Sequence, residues 1–372
     1  MPAASPRPGP APAADHRPLL LTGDPALREE VLRLAAVAGV DLDVLGHVAV
    51  PAPRWSGSPL VLVGPDLLAE LARRSPARRP DVVVVTADLD DAAVWERAVA
   101  VGAAAVRVLP DDERVLVELL ADAAEGVRPG PLVAVLGGRG GAGASTVAVG
   151  LAVSAAHAGL DCFLVDADPL GGGIDLVLGG EALPGLRWPE LSRTRGRLGG
   201  ETLREAVPAV GATGRLAVLS YDRGDPVVVQ PATVASVVSA AARSSDLVVV
   251  DLPRHPDPGA DTVLAAADLV LLVVPAEVRA VTAAARVAAR VGMLAGDLRL
   301  LVRGPAPGGL DAATVSDVLG LPLAESYRSE VAVARALECG LPPAAGGRGS
   351  LATACRRLLG EVVPEATSRT GR

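Results

Sequence analysis

From residue 18 onward, short uninterrupted apolar runs alternate with stretches whose apolar residues recur every three or four positions. A brief continuous apolar run fits a strand buried on both faces, and the helical spacing fits the segment that covers it. The runs at 18–22 (PLLLT), 42–48 (LDVLGHV), 60–64 (LVLVG), 81–86 (DVVVVT) and 104–109 (AAVRVL) predict the first strands. Gly23-Asp24-Pro25 opens a helix through about Val37, the Pro/Ser/Gly-rich stretch from Pro51 to Pro59 reads as a loop, and Asp111 to Glu125 reads as a closing helix. Strands alternating with helices predict a parallel sheet with both faces covered, of flavodoxin-like size.

The pattern then repeats on a larger scale. Strands are expected at 132–136 (LVAVL), 163–166 (FLVD), 215–220 (RLAVLS), 246–253 (DLVVVDLP), 269–275 (LVLLVVP) and 298–304 (LRLLVRG). Helices are expected near 145–159, 231–243, 277–294, 311–318, 329–338 and 349–362. The chain therefore divides into a tail (1–17), a first α/β domain (18–125), the linker Gly126-Val127-Arg128-Pro129-Gly130-Pro131, a second α/β domain with a mainly parallel sheet (132–365) and a closing tail (366–372).

Composition narrows the chemistry. A length of 372 residues suits two domains. With 35 basic against 43 acidic residues the net charge is −8, which argues against nucleic acid as the main partner. There is no lysine and no asparagine, so every basic residue is arginine and any mechanism that needs a lysine amine is excluded. Cys162, Cys339 and Cys355 form neither a metal spacing nor a disulfide framework, which fits a reducing cytosol. The histidines His16, His47, His157 and His255 are scattered. Apolar runs such as Leu269 to Val274 fall far short of the ~18–20 residues that span a bilayer, and the Pro/Ala-rich start lacks the apolar core of a signal peptide.

Residues 137–146 read Gly-Gly-Arg-Gly-Gly-Ala-Gly-Ala-Ser-Thr between an apolar strand and an apolar helix. Successive glycines let backbone N–H groups converge on one concavity, and the helix that follows adds positive potential, so such a loop binds phosphate. Against the pattern G-x-x-x-x-G-K-[ST], Gly138 to Gly143 fit, Ser145 fits the magnesium-binding hydroxyl, and Ala144 stands where lysine belongs. The alternative is a glycine turn serving only close packing. Asp166, Asp168 and Asp251 lie at the carboxyl ends of strands, where ligands bind in such sheets; equally, a carboxylate there can simply cap the next helix.

The loop resembles the deviant Walker A motif of the ParA/MinD family, with Arg139 at the position of the signature lysine and Ala144 at the second lysine. VDADPLGGG (165–173) is similar to that family's first switch, DLVVVDLPR (246–254) to its Walker B and second switch, and LAAADLVLLVVPAEVRAV (264–281) to the strand and helix beyond. The match covers about 130–365. Loss of the second lysine and a receiver-like domain in front bring the chain nearest to the CpaE/TadZ branch. The resemblance implies a P-loop NTPase-like domain that holds ATP on Gly138, Arg139, Gly140, Gly141, Ala142, Gly143, Ala144, Ser145 and Thr146. It implies magnesium at Ser145, Asp251 and Asp166, a water-orienting carboxylate at Asp168, and Arg139 reaching nucleotide or partner. It further implies a nucleotide-dependent homodimer that organises septum placement or a Tad-type pilus and secretion system, at the pole or septum of the cell.

Departures from the family pattern qualify the expectation. Without the lysine, nucleotide affinity should fall roughly ten- to a hundred-fold and turnover further, leaving slow hydrolysis or none. Where family members hold adenine with an asparagine near 302–306, VRGPAPGG offers only backbone groups. The first domain resembles a response-regulator receiver in size and element order. However, no acceptor follows Val63-Gly64-Pro65 directly, Asp66 lies beyond, and Leu109 precedes Pro110 where a lysine belongs, so docking is expected rather than phosphorelay. RWPELSRTRGR (187–197) is either a partner patch or a solvated insertion with Trp188 packed inward. The stripe Leu351, Ala354, Cys355, Leu358, Leu359 and Val362 is either a last core helix or, as in MinD relatives, a lipid-binding tail.

Overall fold

The computed structural model describes residues 17–363 except 77–78, 80, 89–91, 126–128, 193–197, 212, 225–226 and 307. The chain forms two compact units, Met1–Val127 and Arg128–Arg372. Both expected tails, apart from Arg17, and residues 126–128 of the expected linker lie outside the described residues, as do Arg193, Arg195 and Arg197 of the arginine patch.

The first unit runs β1 (Leu19–Leu21), α1 (Pro25–Ala38), β2 (Asp43–Leu45), α2 (Ala52–Gly57), β3 (Val61–Val63), α3 (Pro65–Arg74), β4 (Val82–Thr86), α4 (Ala92–Val101), β5 (Ala105–Val108) and α5 (Glu113–Glu125). Its sheet is parallel throughout, in the order β2-β1-β3-β4-β5. Because side chains alternate along a strand, Leu19, Val61 and Val82 pack toward Trp55, Leu68 and Val94. Leu20, Leu62 and Val83 pack toward Val31, Leu34 and Leu116 on the other face. Helix α2 occupies part of the stretch expected to be loop. Prolines are tolerated in a first helical turn, and buried Trp55 holds this short helix to the core.

The second unit runs β6 (Leu132–Gly137), α6 (Ala144–His157), β7 (Cys162–Asp166), α7 (Ile174–Val177), α8 (Trp188–Leu191), α9 (Gly200–Ala206), β8 (Ala209–Val210), β9 (Leu216–Leu219), α10 (Pro231–Arg243), β10 (Leu247–Asp251), α11 (Pro258–Ala266), β11 (Leu269–Pro275), α12 (Val278–Val291), β12 (Leu298–Gly304), α13 (Ala312–Leu319), β13 (Leu323–Arg328), α14 (Val331–Glu338) and α15 (Ser350–Val362). The strand order is β13-β12-β11-β6-β10-β7-β9-β8, parallel except for the β8–β9 pair. Edge strands β8 and β13 are absent from the sequence expectation. β8 is two residues long, and β13 (LAESYR) has too few apolar residues to read as a buried run. Helix α11 is likewise absent from the expected helices; the Asp257 carboxylate caps it by accepting from the Ala260 N–H at 2.8 Å.

The connection from β6 leaves the sheet where the strand order reverses, between β10 and β11, and this is the crevice in which ligands bind in open α/β sheets. In the carboxyl-terminal stripe, Leu351, Ala354, Cys355, Leu358 and Leu359 are buried in the core that α6 shares, and Val362 packs against it. Gly150 on α6 leaves room for the close approach, since a Cβ there would sit 3.2 Å from the Cys355 Sγ. Among the described residues the stripe packs as a core helix, as one of the two readings expects. Among the described residues no helix is long and apolar enough to cross a membrane.

Candidate functional site

Strand β6 ends at Gly137 and α6 starts at Ala144, so the glycine loop has six residues in which to turn from sheet to helix. Gly141 (φ +69°) and Gly143 (φ +100°) adopt left-handed conformations that L side chains rarely enter. A Cβ on Gly138 would lie 2.6 Å from the Ala284 Cβ, so the loop backbone lies directly on α12. Beyond Gly140 and Gly141 there is open space. No side chain caps the first turn of α6, which leaves its N–H groups available at the end of a 14-residue helix.

Over this loop lies a cleft of about 370 Å³, walled by Asp168 and Leu170 on one side and by Asp251, Arg254 and His255 on the other. Asp166 and Asp251 are paired in register on the adjacent strands β7 and β10. Burial pushes the Asp251 carboxyl up to about 8; the Ser145 hydroxyl, hydrogen-bonded to it, opposes the shift, and the charges of Asp166 and Asp168 add to it. Burial likewise raises Asp166 to about 6 against three hydrogen bonds.

Those bonds settle what Asp166 does. Its Oδ2 accepts from the Ile174 N–H at 2.9 Å and the Ser220 hydroxyl at 3.2 Å, and its Oδ1 accepts from the Asp168 N–H at 3.1 Å. The Trp188 indole N–H donates to the Asp166 backbone carbonyl from below. Asp166, expected as a metal ligand, anchors the 167–174 loop through three accepted hydrogen bonds and is not among the residues that line the cleft. Asp168, which does line it, accepts the Leu170 N–H at 3.0 Å. Among the described residues no group of three or more His, Cys, Asp or Glu is placed to hold a metal ion alone. Ser145 and Asp251 could hold magnesium only with water and phosphate oxygens completing its shell, which is the usual habit of that ion. The glycine cradle, open in front and closed behind, fits a polyphosphate with such an ion.

The arginines are distributed unlike the expectation. Arg139 folds back along its own loop: Nη2 lies 2.9 and 3.1 Å from the two Glu277 carboxylate oxygens, and Nη1 donates to the Gly140 carbonyl. The stretch 302–306, expected to offer only backbone, instead places the Arg303 guanidinium against the loop, where Nη2 donates to the Gly141 carbonyl at 3.3 Å. A charged residue closing an otherwise apolar run (LRLLVRG) was the available signal, since strand ends on this side face the ligand crevice. Neither Glu277 nor Tyr327, whose hydroxyl stands 3.3 Å from the Gly143 Cβ position, is marked by any local pattern. Trp188 is fully buried and stacks obliquely on Tyr221 with centroids 5.9 Å apart, so the inward reading holds for this part of the arginine-rich stretch. Arg187 beside it is buried too, donating to Asp175 at 3.2 Å, while Arg223 meets the same carboxylate at 2.6 Å. Burial pulls Asp175 upward, but the two guanidiniums outweigh it and hold the carboxyl below its ordinary range.

In the first unit, acidic residues near the corresponding strand ends bond within the fold. Asp66 accepts from the Thr22 hydroxyl at 2.9 Å and the Gly23 N–H at 2.6 Å, and Asp24 caps α1 through the Ala26 N–H.

Residues 21–130 match the family described as the Rv3660c-like, CheY-like N-terminal domain. Over 355 residues the chain is 43% identical to the uncharacterized protein Rv3660c of Mycobacterium tuberculosis (strain ATCC 25618 / H37Rv), covering 94% of this chain and 99% of that protein. The chain belongs to the Rv3660c family. Over 63% of its length it is similar to the cell division ATPase MinD of Pyrococcus furiosus, with 20% identity, TM-score 0.54 and 99% of that chain covered. It is also similar to a ParA family ATPase of Chlorobium tepidum TLS, with 16% identity, TM-score 0.54, and coverage of 64% of this chain and 98% of that one. Members of the Rv3660c family represented by this chain thus join a CheY-like amino-terminal domain to a P-loop NTPase fold of the MinD and ParA kind.

Proposed function

We propose that this chain is a nucleotide-responsive spatial regulator, akin to the actinobacterial septum site-determining protein and to the CpaE/TadZ branch of the ParA/MinD family. It binds ATP with magnesium on the degenerate phosphate loop, pairs with a second copy when loaded, and hydrolyses ATP slowly or not at all. Its clients are proteins of the division septum or of a Tad-type pilus and secretion system, met from the cytoplasm at the septum or pole. The CheY-like domain serves as the docking module.

The observation that carries this reading is the loop: its glycines hold left-handed turns and leave an open concavity, while the lysine position is Ala144. Backbone N–H groups from Gly140 to Thr146 would hold phosphate, and the Ser145 hydroxyl and Asp251 carboxylate would help to hold a magnesium ion, whose charge would offset that of the phosphates. Asp168 lines the cleft, and the family resemblance implies that it orients the attacking water. Arg139 reaches nucleotide or partner only after leaving Glu277. Absence of a lysine removes charge stabilisation where phosphoryl transfer needs it most.

Calorimetry of the full chain with ATP and magnesium, beside Gly143→Val and a turnover assay, tests the reading. Saturable binding in the wild type, none in the variant, slow turnover and nucleotide-dependent dimerisation by light scattering are expected. Brisk magnesium-dependent hydrolysis unaffected by Arg139→Ala would mean an active ParA-like ATPase instead. A second reading, a scaffold that binds no nucleotide, is favoured by the Arg139–Glu277 pair, which occupies the loop's own arginine, and a flat calorimetric trace decides for it.

A further inference from the structure

We infer that Arg303, at the carboxyl end of β12, is the cation of this phosphate loop, supplying to the phosphate chain of a nucleotide the positive charge that Ala144 cannot. The inference rests on the nucleotide-binding reading above and adds to it the residue that makes a lysine-free loop workable.

A phosphate chain carries several negative charges into a cleft already walled by Asp168 and Asp251, so backbone N–H groups alone leave it undercompensated. Among the described residues four arginines line the clefts at the loop; Arg328, on the edge strand β13, is exposed and its side chain makes no hydrogen bond to the loop. Arg139 is engaged by Glu277 through two contacts with its carboxylate. Arg254 is exposed on the turn after β10, with no strand or helix to fix its position. Arg303 differs from these three. It projects from β12, whose backbone is paired on both sides, with β11 and β13, so its Cα position is fixed beside the loop. Its Nη2 donates to the Gly141 carbonyl, and its Nη1 lies 3.2 Å from the Cβ position of Gly143. Among the described residues no carboxylate forms an ion pair with it. The nearby Glu330 is committed elsewhere, its two oxygens accepting the Ser350 and Leu351 N–H groups at 3.0 and 3.2 Å.

The surroundings agree. A second cleft of about 280 Å³ is lined by Arg303, Tyr327 and the α14 side chains Val333 and Leu337, and it shares Gly143 and Thr146 with the first. A ligand that lays phosphates on the loop and continues past Gly143 passes beside the Arg303 guanidinium. Arginine suits this place because its planar fork keeps a donor on the loop carbonyl while offering others to phosphate.

Calorimetric titration of the full chain with ADP and ATP in magnesium, for wild type, Arg303→Ala, Arg303→Gln, Arg303→Lys and the double variant Arg303→Ala/Ala144→Lys, tests it. Alanine and glutamine should each weaken binding by roughly ten- to a hundred-fold, lysine by no more than about threefold, and the added Lys at 144 should recover most of the loss. Melting curves without nucleotide should coincide, showing that the fold is kept. Glutamine retains a donor for the Gly141 carbonyl, so wild-type affinity in Arg303→Gln would reduce Arg303 to a brace of the loop and overturn the inference. Wild-type affinity in Arg303→Ala would overturn it as well, leaving the nucleotide reading intact. If the wild type binds neither nucleotide, it is the nucleotide reading that fails, and this inference falls with it.

Discussion

The two units share one architecture and put their acidic residues at the same place, the carboxyl ends of parallel strands, yet they employ them differently. In the first unit Asp66 ties the β1 and β3 ends together through Thr22 and Gly23, and Asp24 is spent on the cap of α1. In the second, Asp166 does the corresponding structural work for its loop, and this leaves Asp168 and Asp251 to face open space above the glycines. A carboxylate becomes available for chemistry when a neighbour has already satisfied the backbone around it. Position on the fold selects candidates; the hydrogen bonds decide among them.

The comparison breaks most sharply at the loop. Gly143→Val forces a β-branched residue to φ +100° and brings its Cβ to 3.2–3.3 Å from Arg303 and Tyr327. Nucleotide binding should fall more than about a hundred-fold by calorimetry, with the first unit's melting transition unmoved. Ala144→Lys works in the opposite direction. A restored ammonium should tighten binding by roughly ten- to a hundred-fold and raise turnover in a phosphate-release assay.

Asp251 sharpens the contrast through pH. Its folded-state pKa, about 8, lies above the ordinary value of 3.8, so the folded state binds the proton more tightly than the unfolded chain. Stability is therefore highest while the carboxyl is protonated and is lost as pH rises through that window. In metal-free protein, Asp251→Asn should raise the melting temperature by about 5 °C more near pH 8.5 than near pH 5.5, measured by calorimetric scans. Asp66→Ala should cost the first unit about 1–3 kcal/mol in denaturant melts by leaving the Thr22 and Gly23 donors unpaired, with no change in nucleotide affinity. The smallest effect is expected from Glu277→Gln. Both partners of its pair with Arg139 are partly exposed, so stability should move by less than about 1 kcal/mol, while the freed arginine should strengthen nucleotide-dependent dimerisation in light scattering.

Much of this fold is legible along the chain because buried parallel strands need continuous apolar runs. Those of β4, β10 and β11 are unmistakable, and their helices follow at the proper spacing. What escapes is whatever carries little of that signal. The β8 and β13 edge strands have a partner on one side only, α2 begins among prolines that read as loop, and α11 is short and begins at a proline. The glycine loop is visible for the same local reason, since a run of small residues between strand and helix is a one-dimensional pattern. The use of Asp166 is not visible, because it depends on Ile174 and Ser220, and Ser220 lies 54 residues away.

Arg303 shows the division most plainly. Local patterning determined that the chain holds two doubly wound α/β units, that a glycine-rich turn joins β6 to α6, and that no lysine exists to serve it. Which charges stand over that turn was decided only in three dimensions. Arg303 meets Gly141 across 162 residues, and Arg139 meets Glu277 across 138. Apolar periodicity is a short-range property of the backbone's repeat, whereas the pairing of distant charges follows from how strands are ordered in the sheet.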